Sequence, residues 1–300
     1  MWKQLLNEIQ QGNEKALART ISLVENEQAG YHELLQSLHT SSKANVIGIT
    51  GPPGAGKSTL VDALIGELVN AGKKVGVICV DPSSPFNLGA LLGDRIRMSE
   101  WYNHPNVFIR SLASRGSMGG LHPKIIEITD LFKAGGFDFI IVETVGVGQS
   151  EIEIAGLADT TVVVFVPEGG DEVQTMKAGL MEIADVFVVN KSDRPDADLF
   201  VKNLRMMLAP AFHSHQQEIP IVKTIATERK GMSELMNAIN QHHGDENENE
   251  KKLWLLTEKA WQLIVNKKMN SLSKEKLREL ISQQKKNKDF NLYSFVESLG

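Results

Sequence analysis

The run Gly51-Pro52-Pro53-Gly54-Ala55-Gly56-Lys57-Ser58-Thr59 joins turn-forming residues to one lysine and two hydroxyls. Glycine tolerates backbone conformations that aim several successive N–H groups at one point, and a helix starting there adds partial positive charge. The chemistry this permits is the binding of a polyphosphate. Lys57 is placed to reach the β- and γ-phosphates and Ser58 to offer its hydroxyl to magnesium. The pattern has this meaning only between a strand and a helix. Val46-Ile47-Gly48-Ile49-Thr50 before it reads as a buried strand, and Thr59 to Val69 after it as a helix, so the run is predicted to be a P-loop.

A second run, Asn190-Lys191-Ser192-Asp193, follows the apolar stretch Asp185 to Val189. A carboxylate at Asp193 accepts from both N1–H and the exocyclic amine of guanine, whereas adenine has an acceptor at N1 and lacks that amine. Sites built on such bonds reject the wrong ligand by about four to five orders of magnitude, so GTP is expected over ATP. Asn190 is expected to brace neighbouring loops and the Lys191 stem to lie over the base. Thr224-Ile225-Ala226 ends a further strand and is a candidate to present a backbone N–H to the guanine carbonyl.

Magnesium takes hard oxygen ligands in octahedral geometry. Glu143 ends the run Phe137 to Val142 and precedes Thr144-Val145-Gly146, as a metal-site carboxylate and a γ-phosphate-sensing glycine would. Asp81 ends another strand, and Asp94 lies beyond it, near Arg95 and Arg97. With Ser58, these make the candidate metal set. The stretch from Asp81 to Gly93 has anchored ends and internal glycines, and reads as a switch segment. Hydrolysis needs a water oriented in line with the γ-phosphate. Val147, after Gly146, cannot hydrogen-bond such a water, so slow intrinsic turnover is expected, aided by Gln149, Gln174, Lys177 or a partner.

The elements that must position these groups alternate along the chain. Strands are expected at 45–50, 74–80, 107–111, 137–143, 161–167, 186–190 and 221–224. Several are apolar throughout, which implies a parallel sheet covered on both faces, a doubly wound α/β core. Residues 1–42 carry helical apolar spacing, 43–243 form the nucleotide domain, and 244–300 form a helical extension. Gly244 to Glu250, acidic and without apolar residues, is expected to be an exposed hinge.

Bulk properties exclude other classes. The chain has 300 residues, 42% hydrophobic, with net charge −5, so no basic footprint for nucleic acid is present. Its single cysteine, Cys79, falls in an apolar strand and reads as core. No run approaches a membrane span, and the start lacks a signal-peptide stretch, so a cytoplasmic protein is expected.

Taken in order, Gly51 to Ser58, Asp81-Pro82-Ser83-Ser84, Gly93 to Met98, Glu143-Thr144-Val145-Gly146-Val147-Gly148-Gln149-Ser150-Glu151 and Asn190 to Asp193 closely resemble the MeaB/MMAA family of P-loop GTPases, also labelled ArgK. The resemblance implies a homodimeric GTPase chaperone of an adenosylcobalamin-dependent acyl-CoA mutase of the methylmalonyl-CoA mutase type. It implies dimerisation through the C-terminal extension, and GTP, GDP and magnesium as ligands. Lys57, Ser58, Asp81, Asp94 and Glu143 then fall in the nucleotide and metal site. Asp171, Gln174 and Lys177 match an additional switch, with Lys177 acting in partner-stimulated hydrolysis. Two other functions fit parts of the pattern: an ATP-using kinase of a basic amino-acid transport system, and a metal-insertion GTPase. The Asn190 to Asp193 run argues against the first. One cysteine and the single adjacent pair His242-His243 argue against the second.

Overall fold

The computed structural model describes residues 1–38, 44–81, 98–113, 121–144, 150–168, 183–212, 219–242, 247–268, 274–284 and 292–297. It divides the chain into two compact units, Met1–Lys252 and Leu253–Gly300.

The first unit is built on one sheet. Its strands are β1 Asn45–Thr50, β2 Val75–Asp81, β3 Val107–Ala113, β4 Phe139–Glu143, β5 Thr160–Phe165, β6 Val186–Val189 and β7 Ile221–Lys223. Their order is β3-β2-β4-β1-β5-β6-β7, and every neighbouring pair is parallel. The α/β expectation therefore holds, with a strand at each predicted place. Parallel strands need covered crossovers, and β1 and β5 are buried at every residue, as strands covered on both faces must be.

The helices of this unit are α1 Trp2–Gln10, α2 Glu14–Glu25, α3 Tyr31–Gln36, α4 Lys57–Asn70, α5 Ile125–Ala134, α6 Ser150–Leu157, α7 Ala197–Phe212 and α8 Met232–His242. One sheet face presents Ile47, Ile49, Val77, Cys79, Ile141, Val162 and Val188 to Leu60, Leu64 and Leu68 of α4 and Leu235 and Ile239 of α8. Cys79 is buried there as a free thiol. The other face sets Val163, Phe165, Phe187 and Val189 against Ala155 of α6 and Phe200 and Leu204 of α7, with Phe165 and Phe187 stacked. The N-terminal helices pack on α5. Their attachment is partly ionic: Glu25 pairs with Arg110 of β3, and Lys124 reaches Glu27 at 2.7 Å and the Tyr31 hydroxyl at 3.2 Å.

At the edge where strands begin, three aspartates each precede one strand and tie it to a neighbour. The Asp138 carboxylate accepts from Lys74 N at 2.7 Å, Asp159 from Val46 N at 2.6 Å and Asp185 from Thr161 N at 2.8 Å. The backbone N–H of each aspartate returns a bond to the same residue's carbonyl at 2.7–2.9 Å. Each strand start thus has its first donors satisfied where the ladder would otherwise leave them open.

The second unit contains most of α9 Asn247–Lys268, then α10 Lys274–Gln284 and α11 Leu292–Glu297. Among the described residues, no helix is long and apolar enough to cross a membrane. One expectation is corrected: Asn247 to Glu250, read as hinge, is the first turn of α9. Carboxylates in general are stabilised at the positive end of a helix, so an acidic run without apolar residues can open one.

Candidate active site

The site lies at the opposite edge of the sheet, where strands end. β1 delivers the chain into Gly51 to Gly56, and α4 starts at Lys57. Two glycines are required by crowding as well as by backbone angle. Gly51 has φ 139°, and a Cβ there would stand 2.2 Å from the Val164 carbonyl oxygen of β5. Gly56 has φ 85°, and its Cβ would stand 2.5 Å from the Asn190 amide nitrogen. The loop is thus wedged between β5 and the Asn190 loop, and only glycine admits both contacts. Pro53 and Gly54 face outward at its crest, while Ala55 is buried beneath them.

Lys57 is 7% exposed, and its ammonium donates to the Gly51 and Pro52 carbonyls at 2.9 and 3.1 Å. Those bonds hold a buried cation against the loop that is to carry phosphate. One residue on, the Ser58 hydroxyl donates to Glu143 Oε1 at 2.7 Å, both side chains being buried. Register explains the meeting. Glu143 lies beside Ile49 of β1 and Cys79 of β2, so its carboxylate emerges next to the start of α4. Thr144 continues the seam, its N–H bonded to Ile49 O at 3.0 Å and its hydroxyl to that of Thr50 at 2.9 Å. A hydroxyl and a carboxylate in hydrogen-bond contact form the hard-oxygen pair that magnesium selects, so the residues fit that ion. Asp81 ends β2 two residues beyond Cys79, at the same edge. Asp94, Gly146, Val147, Gln149, Asp171, Gln174 and Lys177 lie outside the described residues.

The base side is assembled by Asn190. Its amide nitrogen donates to Ala55 O at 3.0 Å, and its oxygen accepts from Thr224 Oγ1 at 3.1 Å and Ala226 N at 3.2 Å. Three chain segments meet on one side chain that is 2% exposed. Lys191 has φ 56°, and its ammonium donates to Gly54 O at 2.9 Å, spanning the loop crest. A pocket of about 170 Å³ opens here, lined by Gly56, Thr59, Asn190, Lys191, Asp193, Arg194, Ile225, Ala226 and Thr227. Small and polar walls, with a carboxylate on one side and backbone on the other, suit a planar base carrying donors and an acceptor. The Ala226 N–H, considered above as the donor to the guanine carbonyl, is bonded to Asn190 in this structure.

Two lining residues, Arg194 and Thr227, are missed by the sequence reading; adjacency to Asp193 and Ala226 is the signal that could have found them. Arg194 pairs with Glu168, just past β5, and that hydrogen bond holds the Glu168 carboxyl below its usual range. Among the described residues, no group of three or more His, Cys, Asp or Glu is arranged to hold a metal ion.

Comparison with known proteins follows the same line. A Pyrococcus abyssi protein provisionally named a GTPase is 49% identical over 246 residues, covering 81% of this chain and 76% of that one. The GTPase ArgK of Escherichia coli is 39% identical over 244 residues, covering 78% and 73%. The crystal structure of an LAO/AO transport system kinase superposes with a TM-score of 0.67 at 27% identity, covering 99% of this chain and 96% of that one. The model of the methylmalonyl-CoA mutase-associated GTPase MeaB matches residues 17–284. With a family model that matches residues 17–284 and relatives named as GTPases, the chain is a guanine-nucleotide-binding GTPase and belongs to the MeaB family.

Proposed function

We propose that this GTPase is a chaperone of an adenosylcobalamin-dependent acyl-CoA mutase of the methylmalonyl-CoA mutase type, assisting its cofactor loading and protecting it. The observation that carries the reading is the family match across residues 17–284, whose description names that mutase association. In this reading the protein is a cytoplasmic homodimer joined through residues 244–300. Support for self-association comes from α9, which exposes Leu253, Trp254, Leu256, Trp261 and Ile264.

In this reading the roles at the site divide as follows, those of Asp81, Asp94, Asp171, Gln174 and Lys177 resting on the family resemblance. Lys57 and the loop N–H groups hold the triphosphate, and Asn190, Lys191 and Asp193 with the turn after Thr224 hold the base. Ser58 and Glu143 hold magnesium, joined by Asp81 and Asp94. When bound, magnesium offsets charge on the β- and γ-phosphate oxygens. Attack of water on the γ-phosphorus releases GDP and phosphate. Asp171, Gln174 and Lys177 are assigned to the step that the partner accelerates.

The test is GTP turnover with and without a purified adenosylcobalamin-dependent mutase. The reading expects slow turnover alone, acceleration by the mutase, and loss of that acceleration in Lys177→Ala with nucleotide affinity intact. No binding and no acceleration with any such mutase sinks it. A second reading, a transport-system kinase, is favoured by the name of the superposing structure. It requires ATP preference and phosphate transfer to a protein, which competition between GTP and ATP decides.

A further inference from the structure

On α4, Ser58, Asp62 and Gly66 recur every four residues and so share one face of the helix, starting at the phosphate end. Ser58 meets Glu143. Asp62 Oδ1 accepts from the Trp101 indole N–H at 2.8 Å. Gly66 is a poor mid-helix residue, costing about 1 kcal/mol relative to alanine. Its surroundings account for it: a Cβ there would lie 3.3 Å from Arg229 Nη1 and 3.5 Å from the Trp101 ring. The Arg229 guanidinium stands 5.9 Å from the centroid of Trp101 and donates to Glu100 Oε1 at 2.8 Å. Trp101 itself is 8% exposed.

Arg229 belongs to the turn that walls the base pocket. Ile225 and Lys230 close it with bonds of 3.1 and 3.2 Å between their backbones, and Arg229 sits at φ 55°, its N–H bonded to Ala226 O at 3.1 Å. Ile225, Ala226 and Thr227 line the pocket together with Gly56 and Thr59, at the start of α4. The turn packs on α4 beside the pocket, so its position bears on the space open to a base. Asn190 holds the turn on the inside, and the half-exposed Arg229 guanidinium, set against the face of the Trp101 ring that is tied to Asp62, holds it on the outside. Burial raises the Asp62 carboxyl above its ordinary range, and the bond from Trp101 works against that rise.

We propose that Arg229 is a positioning residue for guanine binding, holding the Ile225–Lys230 turn at base-width from α4 through its stack on Trp101. The inference rests on the base occupying the Asn190–Asp193 pocket. A cation against an aromatic face is a modest interaction, and lysine cannot both stack and pair as the planar guanidinium does.

The experiment measures GDP affinity, the KM and kcat for GTP, and displacement by magnesium tripolyphosphate, which engages the phosphate loop without a base. Arg229→Gln is expected to weaken GDP and raise KM about three- to tenfold, with kcat within about twofold and tripolyphosphate displacement unchanged. Trp101→Phe is expected to weaken GDP, and the double variant to fall short of the product of the two effects, because they act through one contact. Arg229→Gln binding GDP as the parent does overturns the proposal. So does an equal loss of tripolyphosphate binding, which marks general damage. Asp193→Asn separates the premise from the inference: if that variant keeps guanine preference, the pocket assignment fails and the proposal with it; if it loses preference while Arg229→Gln binds normally, the brace alone fails.

Discussion

The amide of Asn190 donates to the carbonyl of Ala55 at 3.0 Å, joining the base loop to the phosphate loop across 135 positions of sequence. The same side chain accepts from Thr224 and Ala226, so the two halves of the candidate site are held in register by one buried residue. Asn190→Ala leaves buried partners unsatisfied and is expected to cost about 2–4 kcal/mol of stability. Melting should fall by roughly 5–15 °C and GDP affinity should drop with it. Parental melting and parental affinity together would show that the junction is not held this way.

The contact of Ser58 with Glu143 makes magnesium dependence the informative measurement. Ser58→Ala removes one metal-facing oxygen and leaves the loop backbone in place. GTP affinity in magnesium is expected to fall by about tenfold or more, while affinity measured in chelator stays near the parent's. Equal loss in both conditions would move Ser58 from metal binding to loop structure.

Asp193 fronts the base pocket as an exposed carboxylate. In Asp193→Asn one acceptor becomes a donor, which suits a base bearing oxygen where guanine bears its amine. GTP affinity is expected to drop by about 100-fold or more, with xanthosine triphosphate gaining. Competition of the two nucleotides against labelled GDP reads this directly, and retained GTP preference would displace Asp193 from its role.

Lys124 anchors the N-terminal helices through Glu27 and Tyr31, with its ammonium 4.9 Å from the tyrosine ring centroid. Burial works against its charge, but the bonds to Glu27 and Tyr31 and the nearby Glu127 outweigh it, so its pKa is raised above 10.5. A base whose folded pKa is raised contributes stability in full below its unfolded pKa and loses it as pH rises through the folded value. The stability gap between the parent and Lys124→Met should be constant from pH 7 to 9, on the order of 1–2 kcal/mol, and close above pH 10.5. Denaturant midpoints across that range check it. A gap that closes near neutrality would mean that another group carries the contact.

Strands were legible because most are buried on both faces, which leaves apolar runs such as Val162-Val163-Val164-Phe165 with little ambiguity. Ser58, Glu143 and Asn190 were legible because their neighbours in sequence form part of the motif. Asn190 still held something unread: that it takes the Ala226 N–H for itself depends on where β6 and β7 end relative to each other. The Arg229 stack was out of reach for the same reason. It comes with an ion pair to Glu100, 129 positions away, and needs a left-handed residue at Arg229, which no local preference announces. Asn247 to Glu250 misled because lack of apolar residues was read as lack of structure, whereas a helix end rewards charge.

The three aspartates at the strand starts bind one margin of the sheet as a spine binds pages. Asp138, Asp159 and Asp185 stitch that margin, opposite the edge from which the candidate phosphate and base loops leave. Movement provoked by exchanging one phosphate can riffle the loops without loosening the pages. Amide exchange should therefore be graded along each strand, slow at Val46 and Thr161 in every nucleotide state, with the response to GTP confined to the last residues before the loops.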